Sequence, residues 1–169
     1  MKKVSLKHLL LIVLTTSLFT SLASAQKADF SGTWKLDEGK SDMGQFAAIV
    51  PLIVKAALKT DSMLITKTNK SFDGGSESDM TETISFDGKE VENTVQPGNS
   101  KRKASSKWSD DGKTLTITYT IKMEFNGDPL EIKGTEVWSL QDDGKTLVLS
   151  NASSSSFGEN TFKGIYQKQ

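Results

Sequence analysis

The 169-residue chain predicts an all-β fold: an up-and-down antiparallel β-barrel of about eight to ten strands, with a short helical insertion after the first strand. Two observations lead to this prediction. Apolar and polar side chains alternate over long stretches, as in strands with one buried and one solvated face. Between these stretches the tripeptide Asp-Gly-Lys recurs, beginning at Asp87, Asp111 and Asp143. Asp-Gly is a strong hairpin signal because glycine adopts positive φ without strain.

The clearest alternation runs over 113–125, where apolar or aromatic residues occupy every second position and Thr, Lys or Glu fills the gaps. Closing such strands into a barrel removes the exposed sheet edges. The outward face carries Thr, Lys and Glu side chains, and placing them against lipid would cost free energy. We therefore do not expect the barrel to span a membrane. Similar patterns predict nine strands, at 30–36, 62–68, 77–86, 89–96, 101–108, 113–125, 130–140, 145–152 and 159–167.

One segment, 43–58, departs from the period of two. Its apolar residues recur every three or four positions, which is typical of a helix with one apolar face. Pro51 interrupts this run, so we expect a kink or two short helices. Phe46, Val50 and Val54 lie on the apolar stripe and are candidates for a lid over the barrel mouth. The alternative is that the stripe is part of the core.

Residues 1–25 have the three parts of a secretory signal peptide. Met1–Lys7 is basic, Leu9–Phe19 is mostly apolar, and Ala23-Ser24-Ala25 fits an A-x-A cleavage site. The mature domain is then 26–169, exported to the periplasm or secreted. Because Gln26 stands where a lipoprotein would carry cysteine, no lipid anchor is expected.

Composition excludes several classes of function. The chain has no cysteine, and its one histidine, His8, lies in the predicted signal peptide. A thiolate nucleophile, a serine–histidine pair and histidine- or cysteine-ligated metals are therefore excluded, and we expect no cofactor and no metal. The mature domain keeps 18 of the 21 basic residues and all 21 acidic ones, for a net charge of −3. This balance argues against nucleic acid as a partner.

The mature chain opens with Phe30-Ser31-Gly32-Thr33-Trp34-Lys35-Leu36. This segment resembles the first strand of the calycins, the superfamily of lipocalins and fatty-acid-binding proteins, and in particular bacterial exported lipocalin-like proteins. The resemblance implies a barrel that binds a small, largely apolar or amphipathic molecule in its interior, with Trp34 packed at the closed end. Near Trp34 the last strand offers Lys163 or Lys168 as the basic residue usual in lipocalins.

The last strand departs from the fatty-acid-binding proteins, which clamp a carboxylate with an Arg-x-Tyr motif. Tyr166 matches the tyrosine, but Gly164 stands in the place of the arginine. A fatty-acid role is therefore not carried over to these positions.

Strand alternation places several polar or aromatic side chains inside the barrel. The candidate ligand-binding residues are Glu82, Arg102, Tyr119, Glu136, Trp138 and Tyr166. A buried charge must be paired or hydrated, and Arg102, the only arginine, can pair with Glu82 or Glu136. Two interpretations stay open: the groups orient a ligand in a wet cavity, or they form a structural ion pair in a filled barrel without a ligand.

An enzyme that uses the two glutamates is a distant third possibility, because no nucleophile and base are recognisable together. We therefore assign no catalytic residue.

Cleavage after Ala25 can be tested directly. We expect N-terminal sequencing of the exported protein to give Gln26 as the first residue, because Ala23 and Ala25 fit the small pockets of a signal peptidase. An exported protein that still begins at Met1 would contradict the assignment.

Overall fold

A computed structural model describes residues 26–45, 47–70, 76–95, 100–125 and 127–169. The predicted signal peptide, 1–25, and the lid candidate Phe46 lie outside the described residues. The strands are β1 Gly32–Leu36, β2 Ile53–Leu58, β3 Ser62–Lys70, β4 Glu77–Ser85, β5 Val91–Val95, β6 Ser100–Trp108, β7 Thr114–Phe125, β8 Asp128–Gln141, β9 Thr146–Ser155 and β10 Gly158–Lys168. Short 3₁₀ turns span Glu38–Lys40, Ala47–Ile49 and Asp142–Gly144.

The ten strands form one antiparallel sheet in the order β4-β3-β2-β1-β10-β9-β8-β7-β6-β5. Consecutive strands are neighbours, and β1 pairs with β10, so the sheet is the predicted up-and-down barrel. The two outer strands, β4 and β5, face each other across a seam. Asn93 bridges it by donating to the Thr83 carbonyl at 3.1 Å and accepting from the Thr83 N–H at 2.9 Å. Side-chain bonds thus replace a backbone ladder at the seam.

The predicted helix over 43–58 is wrong. Two 3₁₀ turns occupy 38–40 and 47–49, and Ile53–Leu58 forms β2, the tenth strand that the sequence patterns missed. Because β2 pairs with both β1 and β3, two backbone ladders outweigh the helical spacing of its apolar residues. Val54 is therefore a fully buried core residue of β2 and not part of a lid. Val50, in the bend before β2, is also buried.

An aromatic cluster fills the closed end of the barrel. The Phe30 ring stacks on Trp108 at 5.6 Å between ring centroids and meets Trp138 edge-on at 5.7 Å. Trp34 is fully buried, and its indole N–H donates to the Phe30 carbonyl at 2.9 Å. The polar edge of Trp34 is thereby satisfied inside an apolar cluster, as a buried indole requires.

Gly32 and Lys168 complete the packing around Trp34. The ammonium of Lys168 lies 5.1 Å from the centre of the Trp34 ring. The side chain of Lys168 also crosses Gly32, where a Cβ would lie 3.0 Å from Lys168 Cε. Gly32 has φ +136, which side chains rarely adopt, so both the backbone and the space favour glycine. Of the two lysines considered from sequence, Lys168 is the one beside Trp34.

We call the opposite end of the barrel the insertion end. At this end lie the ends of β3, β5, β7 and β9 and the starts of β4, β6, β8 and β10, together with the described residues of segment 37–52. Four inward-facing apolar residues toward the insertion end are partly exposed: Met80, Ile121, Met123 and Ile132. Leu130, also toward this end, is buried, and Trp108 and Leu140 at the closed end are partly exposed as well. Within the described ranges, no helix has the length and apolar character needed to cross a membrane.

Replacing Trp34 with alanine should lower the free energy of unfolding by roughly 3–5 kcal/mol, because it leaves a large cavity in the closed end. Chemical denaturation of both forms measures this loss. Phe157→Ala is the matched control, since Phe157 is 63% exposed and its removal leaves no cavity. A loss for Trp34→Ala no larger than for the control would contradict the role of the cluster.

Candidate functional site

Four charged side chains from four strands meet inside the barrel. Lys67 of β3 contacts both oxygens of Glu136 of β8, at 2.6 and 2.7 Å. Arg102 of β6 binds Glu82 of β4 through Nε at 2.6 Å and Glu136 through Nη2 at 3.1 Å. Lys67 Nζ also lies 3.5 Å from Glu82 Oε1. We call these four residues the ion quartet.

The ion quartet is buried and has no net charge. The side chains of all four members are at most 7% exposed, and two cations face two carboxylates. Burial by itself would raise the pKa of Glu136, but Lys67 and Arg102 lower it to about 2. Burial would lower the pKa of Arg102, but Glu82 and Glu136 raise it above its ordinary value. Each charge is therefore stabilised by its partners despite the loss of water.

Two aromatic candidates contact the ion quartet. The Trp138 indole N–H donates to Glu136 Oε2 at 3.1 Å. The Arg102 guanidinium carbon lies 3.8 Å from the centre of the Tyr119 ring, a cation–π contact. Gly134 makes room for that ring, since a Cβ there would lie 2.5 Å from Tyr119 Cζ. Burial, followed by Glu136, raises the pKa of Tyr119 to about 12, so its hydroxyl stays protonated at neutral pH.

Tyr166 has a different role from the other candidates. Its hydroxyl donates to the Pro51 carbonyl at 2.9 Å, which ties segment 37–52 to β10. Burial raises the pKa of Tyr166, and Glu136 adds to the effect. The ring crosses Gly164, where any side chain would collide with it. An arginine at 164 would therefore displace Tyr166, which gives a physical reason for the departure from Arg-x-Tyr.

The structure thus brings together Glu82, Arg102, Glu136, Trp138 and Tyr119. Their role in binding a ligand stays a prediction. Lys67 is the member of the ion quartet that sequence reasoning missed. It is in phase with Met63 and Ile65, so the alternation along β3 was the signal that could have found it.

Further polar residues that were missed line the interior between Tyr119 and β10. The Tyr119 hydroxyl donates to Asn151 Oδ1 at 2.8 Å, and Asn151 Nδ2 donates to Ser153 Oγ at 3.5 Å. Ser153 Oγ in turn donates to the backbone carbonyl of Asn160 at 3.4 Å. Asn151 and Asn160 are buried and lie in phase with the apolar positions of β9 and β10. The alternation along these two strands could therefore have predicted that both side chains face inward.

A separate groove of about 440 Å³ lies on the outer face of β7–β10. It is lined mainly by outward-facing residues, among them Thr118, Thr120, Lys133, Thr135 and Thr161.

Comparison with known proteins gives the fold and no family assignment. No family model matches the chain, and no curated protein matches it. A crystal structure of zebrafish ileal bile acid-binding protein complexed with cholic acid is similar, with a TM-score of 0.53 and 17% identity. The match covers 83% of this chain and 98% of that chain. This likeness shows a calycin-type barrel, as the segment 30–36 predicts, and the similar protein is a binding protein.

The low pKa of Glu136 predicts acid sensitivity. A carboxyl whose pKa falls on folding contributes stability that is present above its unfolded pKa and lost as pH falls through the folded one. Between about pH 4.5 and 2, protonation of Glu136 should remove about 3 kcal/mol from the free energy of unfolding. Glu136→Gln should lose stability at pH 7, because Lys67 loses its carboxylate, and should lack this part of the acid dependence.

Urea denaturation from pH 7 down to pH 2 measures both effects. Glu131→Gln on the same strand is the control, because Glu131 is exposed and its ion pairs with lysines contribute little. If Glu136→Gln kept the acid dependence of the wild type, the loss would have to come from other carboxyls.

Proposed function

We propose that this chain is an exported barrel that binds a small, largely apolar molecule in its interior at the insertion end. The observation that carries the proposal is the partial exposure of Met80, Ile121, Met123 and Ile132, four apolar side chains on the inner faces of β4, β7 and β8. A concave apolar lining with a few polar groups beneath it is typical of small-molecule sites.

The calycin-type fold supports the binding of a ligand in the interior, and the N-terminal sequence supports export. Such a barrel encloses its inner surface on all sides, so a ligand there is removed from water. The basic, apolar and A-x-A parts of residues 1–25 support export. A bacterial exported lipocalin-like protein fits both features.

The alternative is a structural or interaction barrel that holds no ligand. Its support is the ion quartet, in which Glu82, Arg102, Glu136 and Lys67 pair with one another without a ligand. We therefore assign these groups to stability and place the ligand above them, toward the insertion end. The pKa of Glu136, about 2, makes it a poor general acid or base near neutral pH, so the ion quartet gives no support to catalysis.

Two tryptophan substitutions at adjacent positions of β7 test the site. Ile121 faces the interior and Thr120 the outer groove. Ile121→Trp should fill the inner lining and weaken binding of the uncharged apolar dye Nile red by about tenfold, the effect of losing roughly 1.4 kcal/mol. Thr120→Trp should leave the dissociation constant unchanged. Fluorescence titration measures both, and denaturation midpoints verify that the variants fold.

The reverse pattern, with weaker binding only for Thr120→Trp, would move the ligand to the outer groove and contradict the proposal. Absence of Nile red binding to the wild type would favour the barrel without a ligand.

A further inference from the structure

We propose that Asn160 is the polar anchor of the interior site, and that it selects ligands whose head group is uncharged and both donates and accepts hydrogen bonds. A primary amide is the simplest such group. This inference rests on the proposed function and adds to it the chemical class of the ligand and the residue that recognises it.

The first argument is the state of the Asn160 side chain. Asn160 lies on β10 in phase with the buried residues Phe162 and Tyr166, and it is only 8% exposed. Among the described residues, neither its Nδ2 nor its Oδ1 has a hydrogen-bond partner. A buried amide normally finds partners for both its donor and its acceptor, because leaving them unmade costs free energy. The side chain is therefore suited to a group supplied from outside the chain.

The second argument is that the neighbouring polar groups are already engaged. Tyr119, Asn151 and Ser153 form a hydrogen-bonded chain that ends on the backbone carbonyl of Asn160 and not on its side chain. Gly44 lies beside this side chain, since a Cβ built on Gly44 would be 3.5 Å from Asn160 Oδ1.

The third argument concerns charge. The buried cations Lys67 and Arg102 are the groups that would attract an anionic head group, but Glu82 and Glu136 neutralise them at 2.6–3.5 Å. A carboxylate that entered the barrel would lose its water and meet no uncompensated positive charge of the ion quartet. An uncharged group pays a smaller desolvation cost and can satisfy both atoms of the Asn160 amide.

The fourth argument is the position of the apolar lining. The partly exposed Ile132 on β8 and Ile121 on β7 lie one and two strands away, respectively, from β9, which pairs Ser153 with Asn160. A molecule with an amide head at Asn160 can therefore rest its apolar body on this lining. The geometry combines a polar anchor and an apolar surface at the same end of the barrel.

Competition against Nile red tests the inference with two probes of equal chain length, decanamide and sodium decanoate. In the wild type, decanamide should displace the dye at about a tenfold lower concentration than decanoate, as expected for two additional hydrogen bonds and no buried charge. Asn160→Leu, which keeps the side-chain size, should weaken the binding of decanamide about tenfold relative to that of Nile red.

Thr161→Val is the matched control, because Thr161 is the next residue of β10 and faces outward, so neither decanamide nor Nile red should be affected. If Asn160→Leu fails to fold, side-chain amide NMR of the wild type replaces it: the Asn160 Nδ2–H resonances should shift on addition of decanamide.

Three results would overturn the inference while Nile red still binds inside the barrel. These are unchanged decanamide affinity in Asn160→Leu, unshifted Asn160 resonances, or tighter binding of decanoate than of decanamide. The first two would mean that decanamide does not contact the amide. If Nile red does not bind the wild type at all, the proposed function itself fails, and this inference falls with it.

Discussion

The ion quartet is the interaction on which the rest of the structure depends. The seam between β4 and β5 lacks a backbone ladder, and the ion quartet joins the two sides of that seam through the interior. Glu82 on β4 binds Arg102 on β6, and Lys67 on β3 binds Glu136 on β8. Because each ion is removed from water, its free energy depends on its partners. Loss of one partner therefore leaves a buried charge unpaired. The four strands are therefore energetically coupled although they are distant in the sheet order.

The ion quartet also divides the barrel into two regions with different properties. Toward the closed end, the interior is filled by aromatic and branched side chains, with Trp34 and Phe30 fully buried. Toward the insertion end, apolar side chains stay partly exposed, and the Asn160 amide has no partner among the described residues. Under the proposed function, stability and recognition are separated along the barrel axis, because the packed region leaves no space and the two cations of the ion quartet are paired with two carboxylates.

Two glycines on inner faces show how the tyrosines are accommodated. Gly134 lies under the ring of Tyr119, and Gly164 lies under the ring of Tyr166. In each case the absent side chain lets an aromatic ring lie flat against the neighbouring backbone. Tyr119 can then contact the guanidinium of Arg102, and Tyr166 can reach the Pro51 carbonyl. The packing of the Tyr166 ring consequently depends on glycine at position 164. It leaves no room at that position for a carboxylate-clamping arginine.

The sequence by itself determined the barrel, since alternation and Asp-Gly turns are local properties of each hairpin. The inward orientation of Glu82, Arg102 and Glu136 followed from the same alternation. Only the tertiary structure decided that residues 53–58 form a strand, because pairing with β1 and β3 supplies hydrogen bonds that no local pattern contains. The same holds for the partnership of Lys67 with Glu136, 69 residues apart. Side chains on distant strands meet only when the sheet closes, and curvature and strand order then select which charges become neighbours.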